Sequence, residues 1–195
     1  MANIDAAFGF VPIRHGSGGI IRLNEYDIDG GLAANIYEGA PVKSVGDGTI
    51  TVAAAADTLL GIFSGVRYRD VTGAYIYSNK WVSGTATLDD EPAKALVYDD
   101  PNTHFMVQAH ANFVAADIGD QADIVVPGTS GNTATGKSLV SLDDVGQAGI
   151  KIIRSLKVPG RSDAGHGYSV VGAYALVEVK INEHELGGAT STVSV

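Results

Sequence analysis

The sequence predicts a mainly β protein, an antiparallel barrel or sandwich with an extended N-terminal arm and little helix. Three observations predict it. Most of the strong hydrophobic periodicity is two rather than 3.6; 25 glycines cut the chain into short segments; and all six prolines can be placed outside central strands. At 195 residues, 45% of them apolar, one core is affordable and about eight or more short strands fit a single domain.

Taken in order, residues 1–19 differ from the rest. Phe8, Phe10, Val11, Pro12 and Ile13 make an apolar, proline-containing run, and Gly16, Gly18 and Gly19 follow it. Pro12 and the glycines predict an extended arm that either staples onto its own domain or lies on a neighbour. The five apolar residues are the candidate contact set, expected to bury against a partner while residues 20–195 fold without them. From Thr49 to Val66 the four alanines favour helix on propensity, but Ile50 and Val52 alternate with threonines, and a helix would enclose Gly61 and Gly65. The expectation is strand, tight connection, strand, with Leu60, Ile62, Val66 and Tyr68 on one face.

Tyr75 to Val82 and Ile150 to Leu156 are predicted strands. Phe105 to Phe113 and Ala175 to Asn182 alternate apolar and polar, which predicts one face on a core and one in water. His104 and His110 fall on the polar face of the first of these, about 20 Å apart at a rise of about 3.3 Å per residue, too far to share a metal. Single helical turns are expected at 115–119 and 143–148. Two polar loops, 127–137 and 159–168, stand out as contact surfaces.

Residues 131–138, GNTATGKS, fit the phosphate-loop pattern G-x-x-x-x-G-K-[ST]. The chemistry requires a strand before the loop and a helix after it, so that backbone N–H groups converge on phosphate. Asp123 to Val126 could be the strand, but Pro127 interrupts, and Ser138 to Leu142 alternates like another strand. The expectation is a surface turn. Asp27, Asp29 and Glu38 match three positions of a calcium loop, but Gly31 and Leu32 replace a ligand and the turn glycine, so an acidic turn is expected. Asp89–Asp90, Asp99–Asp100 and Asp143–Asp144 are expected in loops, open to a divalent cation at a subunit contact. Tyr75, Tyr77 and Trp81 share a strand face and suit a core better than a sugar platform. No Ser, His and Asp group together by spacing. The sequence predicts no catalytic, metal or cofactor site.

The formal net charge of −9, with scattered basic residues, argues against nucleic acid. No leader or membrane span is expected, and with no cysteine there is neither disulfide nor thiolate chemistry.

Several stretches together resemble the head decoration (cement) proteins of tailed bacteriophages. The opening MANIDAAFGFVPIR is similar to their Met-Ala-Asn start and Phe-Gly-Phe-x-Pro arm. Gly39 to Lys43, Thr49 to Asp57 and Leu60 to Val66 resemble their first hairpin. Thr135-Gly136-Lys137-Ser138 before Leu142-Asp143 is similar to a turn of that group, and Ile150 to Ile153 and Val177 to Leu186 complete the likeness. Arg161 to Tyr168 departs from it. The resemblance implies a non-enzymatic protein without cofactor, made in the host cytoplasm and placed on the outer capsid surface of the virion. Its implied partners are the major capsid protein and further copies of itself, a trimer before a dimer. The alternatives are another virion component, such as a head fibre or tail part, and a nucleotide binder acting through GNTATGKS.

Overall fold

The period-two segments do become strands, but backbone pairing draws their ends differently from the apolar pattern. The computed structural model describes residues 3–88, 91–128, 130–145, 149–161 and 169–187. One six-stranded antiparallel sheet contains, in spatial order, β1 (Val11–His15), β10 (Thr103–Gln108), β16 (Leu176–Ile181), β15 (Ile150–Ser155), β11 (Gln121–Val125) and β14 (Ser141–Val145). A second contains β2 (Asn24–Ile28), β9 (Ala93–Tyr98), β6 (Gly61–Arg69), β4 (Pro41–Ser44) and β5 (Ile50–Val52), with β7 (Tyr75–Ser78) on the far half of β6. Two short ribbons, β3 (Ile36–Tyr37) with β8 (Lys80–Trp81) and β12 (Gly131–Asn132) with β13 (Lys137–Ser138), complete the strands. The fold is mainly β and sandwich-like. In the second sheet a single parallel bridge, Asp27 to Thr49, brings the edges together without a ladder to close a barrel.

Each sheet has its own core. Phe105, Val107, Ile124, Leu142, Ile150, Ile152, Val177, Val179 and Ile181 fill the first, and Ile28, Ile36, Val42, Ile50, Phe63, Val66, Trp81 and Val97 the second. Strand β6 serves both. A bulge between Phe63 and Gly65 shifts its register against β9, and Ile62 enters the first core while Leu60, Phe63, Val66 and Tyr68 pack on the second. The expected single face for Leu60, Ile62, Val66 and Tyr68 is therefore corrected.

Three other boundaries move. The strand expected to reach Phe113 ends at Gln108; the chain then turns, with Phe113 N–H on the His110 carbonyl, and Phe113 folds back into the first core. The strand from Tyr75 breaks at Asn79, whose carbonyl leaves the ladder to accept Glu38 N–H, so Trp81 goes inward while Tyr75 and Tyr77 stay out. The strand expected to end at Leu142 runs on to Val145, which replaces the first half of the helical turn expected at 143–148; residues 146–148 lie outside those described. The expected turn near residue 115 is present as a 3₁₀ turn, Ala115–Asp117.

The N-terminal segment is not a free arm. Pro12 stands opposite Phe105 and Val11 opposite Met106, which makes β1 the edge strand of the first sheet, where a missing N–H is tolerated. The segment is bolted in place at Gly39. Its N–H donates to the Phe63 carbonyl in the second sheet, and its carbonyl accepts Phe10 N–H at 2.9 Å, where the chain enters the first sheet. Gly39 has φ +85°, and a Cβ there would lie 3.0 Å from the Phe10 carbonyl oxygen and 3.1 Å from its nitrogen. Only glycine fits both demands.

Gly39→Ala should therefore destabilise by about 1–3 kcal/mol in urea unfolding, whereas Gly46→Ala, which meets nothing within 4 Å, should stay within about 0.5 kcal/mol. Equal effects at the two positions would refute the bolt.

Candidate functional site

The phosphate-loop look-alike is a hairpin. Gly131 faces Ser138 and Asn132 faces Lys137, and the chain runs on into strand β14 where a phosphate loop would start its helix. Its turn is closed internally: the Asn132 side chain accepts the N–H groups of Ala134 and Thr135, and its carbonyl accepts Gly136 N–H at 2.7 Å. These three donors are thus turned inward and do not point at an anion. Each position of the pattern has a packing reason. A Cβ on Gly131 would sit 2.2 Å from the Tyr37 ring, and one on Gly136 would sit 2.1 Å from the Asn79 side chain. Lys137 Nζ pairs with Glu38 Oε1 at 2.5 Å, and Ser138 N–H donates to the Glu38 carbonyl.

The hairpin belongs to a larger junction. A Cβ on Gly9 would meet the Gly39 carbonyl oxygen at 2.7 Å and Ser138 Cβ at 2.8 Å. Glu38 N–H reaches both the Asn79 and Gly136 carbonyls at 2.9 Å. Phe8 to Phe10, Glu38 to Pro41 and Thr135 to Ser138, far apart in the chain, thus meet at one place.

The five candidate contact residues do not act as a set. Phe10 is only 2% exposed and packs edge-on against Phe105, with ring centroids 6.3 Å apart. It is a core residue of its own chain, which corrects its assignment to a partner. Phe8 is half-buried beneath the Arg161 guanidinium, 5.1 Å from the ring centre, and Val11 and Pro12 are half-buried in β1. Ile13, at 37%, is the member that stays exposed.

Next to Ile13, Arg14 anchors the strand to a buried carboxylate that the alternation pattern placed in water. Glu178, on the face of β16 opposite the core, is fully enclosed. Its Oε1 accepts Arg14 Nε at 2.6 Å and pairs with His104 Nδ1 at 2.6 Å, while Oε2 accepts Arg154 Nε at 2.5 Å. Burial alone pushes this carboxyl upward, but the bonds from His104, Arg14 and Arg154 outweigh it and bring it down from 4.5 to about 2. His104 is thus buried, not on an exposed face. The signal available in the sequence was one lone acid on strands that otherwise carry Arg and His.

The remaining candidates resolve into turns and caps. His15 Nε2 meets Asp100 Oδ2 at 2.9 Å and Ser17 Oγ lies 3.1 Å from its Nδ1, a Ser-His-Asp grouping that spacing did not reveal. The single Nδ1 lone pair already takes the N–H groups of Ser17 and Gly19, so the ring organises the turn rather than activating the hydroxyl. Asp99 is buried and accepts from Asn24 and from the Tyr26 hydroxyl at 2.5 Å; burial and this bond push the Tyr26 phenol up. Of the calcium-like stretch only Asp29 is in the expected turn, which it caps through Gly31 N–H; Asp27 lies in β2 and pairs with Lys94, and Glu38 pairs with Lys137. Asp143–Asp144 are in β14 rather than a loop, and Asp89–Asp90 and 162–168 lie outside the described residues. Among the described residues no three His, Asp or Glu side chains converge as a metal site. Tyr75 and Tyr77 are 57% and 72% exposed, which corrects the core expectation for both, and Trp81 is buried.

Two measurements check this arrangement. Phe10→Ala should lower stability by about 3–5 kcal/mol, the loss expected of a core phenylalanine. For Glu178 the folded chain binds fewer protons than the unfolded one below its ordinary value of 4.5. Its contribution is complete above about pH 4.5 and disappears as pH falls toward 2. Glu178→Gln should cost about 2–3 kcal/mol at pH 7, below the usual about 3–5 kcal/mol for a broken buried pair because both guanidinium groups reach water. The penalty should shrink through that acid window; a pH-independent penalty would exclude the ion pairs as its source.

No family model matches the chain, and neither a curated protein nor a solved structure matches it.

Proposed function

We propose that this chain is a capsid decoration protein, which binds the outer surface of a phage head and stabilises it by bridging capsid subunits. The observation that carries the reading is the junction. Three of the stretches on which the resemblance rests, Phe8 to Phe10, Gly39 to Pro41 and Thr135 to Ser138, pack on one another through Gly9, Gly39 and Ser138. A likeness scattered at random along a chain has no reason to converge in space.

The architecture suits a role by contact rather than turnover. Edge strands β1 and β14 each have one ladder partner among the described residues, and Ile13 lies on β1 while Ile20 (77% exposed) and Leu23 (40%) lie between β1 and β2. Unpaired edges and exposed apolar side chains are liabilities that attachment to a neighbour removes. On this reading the partners are the major capsid protein and further copies of the chain, a trimer before a dimer, because repeating one weak patch multiplies its strength.

Co-sedimentation with DNA-filled heads from the same genome tests the proposal. Saturable co-pelleting at a fixed copy number is expected, and Ile13→Asp with Ile20→Asp should weaken it while the protein stays folded. No binding at micromolar concentration would refute the reading.

A further inference from the structure

The chain is acidic, yet the four strands β1, β10, β16 and β15 carry Arg14, Lys151, Arg154 and Lys180 against one carboxylate, Glu178. Arg14 and Arg154 are committed to that carboxylate. Lys151 and Lys180 are not ion-paired among the described residues. They stand directly opposite each other on β15 and β16, and their sequence neighbours Ile150, Ile152, Val179 and Ile181 are buried, so both project from the face opposite the core. Like charges in that register repel, and a sheet gains nothing from them structurally.

Both lysines line a cleft of about 360 Å³, with Gln121, Asn182, His184 and Pro101 among the other walls. Donors are prominent among its polar groups. Lys151 Nζ holds only the Gly119 carbonyl. Asn182 Nδ2 donates to Gln121 Oε1 at 3.0 Å, which uses that acceptor and leaves the Gln121 amide N–H groups. His184 is 1% exposed; its Nδ1 accepts Leu186 N–H at 3.1 Å, so its proton is on Nε2, a buried donor without a partner among the described residues. No carboxylate is among the described lining residues.

We propose that this cleft binds a compact oxyanion, the phosphate or carboxylate group of a ligand, between Lys151 and Lys180. The site is independent of the capsid reading: it needs two lysines paired in register, amide donors and a lining without a carboxylate among its described residues, all found within one chain, with Asp99, Asp100 and Glu185 acting on His184 from outside the lining. Such a ligand neutralises the opposed lysines and converts a repulsive pair into a bridged one.

Titration followed by ¹H–¹⁵N shifts of Gln121, Lys151, Lys180 and Asn182 tests it, using inorganic phosphate in one arm and an acetylated glutamate dipeptide in the other, at constant ionic strength set with chloride. Saturable shifts are expected in at least one arm, and which arm saturates identifies phosphate or carboxylate as the source. Lys151→Gln with Lys180→Gln should weaken binding at least about tenfold, with a melting temperature no lower than that of the parent. Lys157→Gln, at an exposed lysine outside the cleft, should leave binding unchanged. Shifts that do not saturate, that chloride alone reproduces, or that survive in the double variant would overturn the site.

Discussion

The close approach of two backbone segments at Gly39 is the constraint on which the rest of the fold depends. One residue donates into the second sheet at Phe63 and accepts from Phe10 at the entry to the first. Hydrogen bonds of this kind contribute modestly on their own, but leaving them unmade in a buried place is expensive. The N-terminal segment can cross from one sheet to the other only because neither Gly9 nor Gly39 has a side chain to hold the backbones apart. Phe10 is then delivered to Phe105, and β1 to the edge of β10.

The second consequence lies on the opposite face of the first sheet. Once β1 is zipped to β10, Arg14 comes beside His104 and, one strand further on, Glu178. A carboxylate with no exposed surface is tolerable when several charge-assisted bonds replace its water. Glu178 has such bonds from three strands, so the clasp ties the edge strand to the middle of the sheet. The same face places Lys151 opposite Lys180 with no salt bridge to either among the described residues, Lys151 holding only the Gly119 carbonyl, and that asymmetry separates a paired cluster from the pair proposed as a site.

Local pattern was a good guide wherever a segment's neighbours only continue its own alternation. The strands at 150–155 and 176–181, the strand-turn-strand reading of 49–66 and the scarcity of helix follow from it. It failed where a distant segment intervenes. Asn79 leaves its ladder because Glu38 competes for its carbonyl, and that removes Tyr75 and Tyr77 from the core face that Trp81 enters. The polar face of β16 looked solvated because nothing within ten residues of Glu178 announces Arg14 or His104.

The sequence by itself determined the class of the fold, because period-two burial, glycine and proline punctuation and strand propensity are properties of short windows. It also showed that GNTATGKS lacks the helix a phosphate loop requires. Only the tertiary structure decided that Phe10 is core, that Glu178 is clasped, and that two lysines 29 residues apart share a cleft. Those outcomes depend on which strand pairs with which, and pairing is a long-range choice. It is settled by whole faces burying together, not by any residue's own preference.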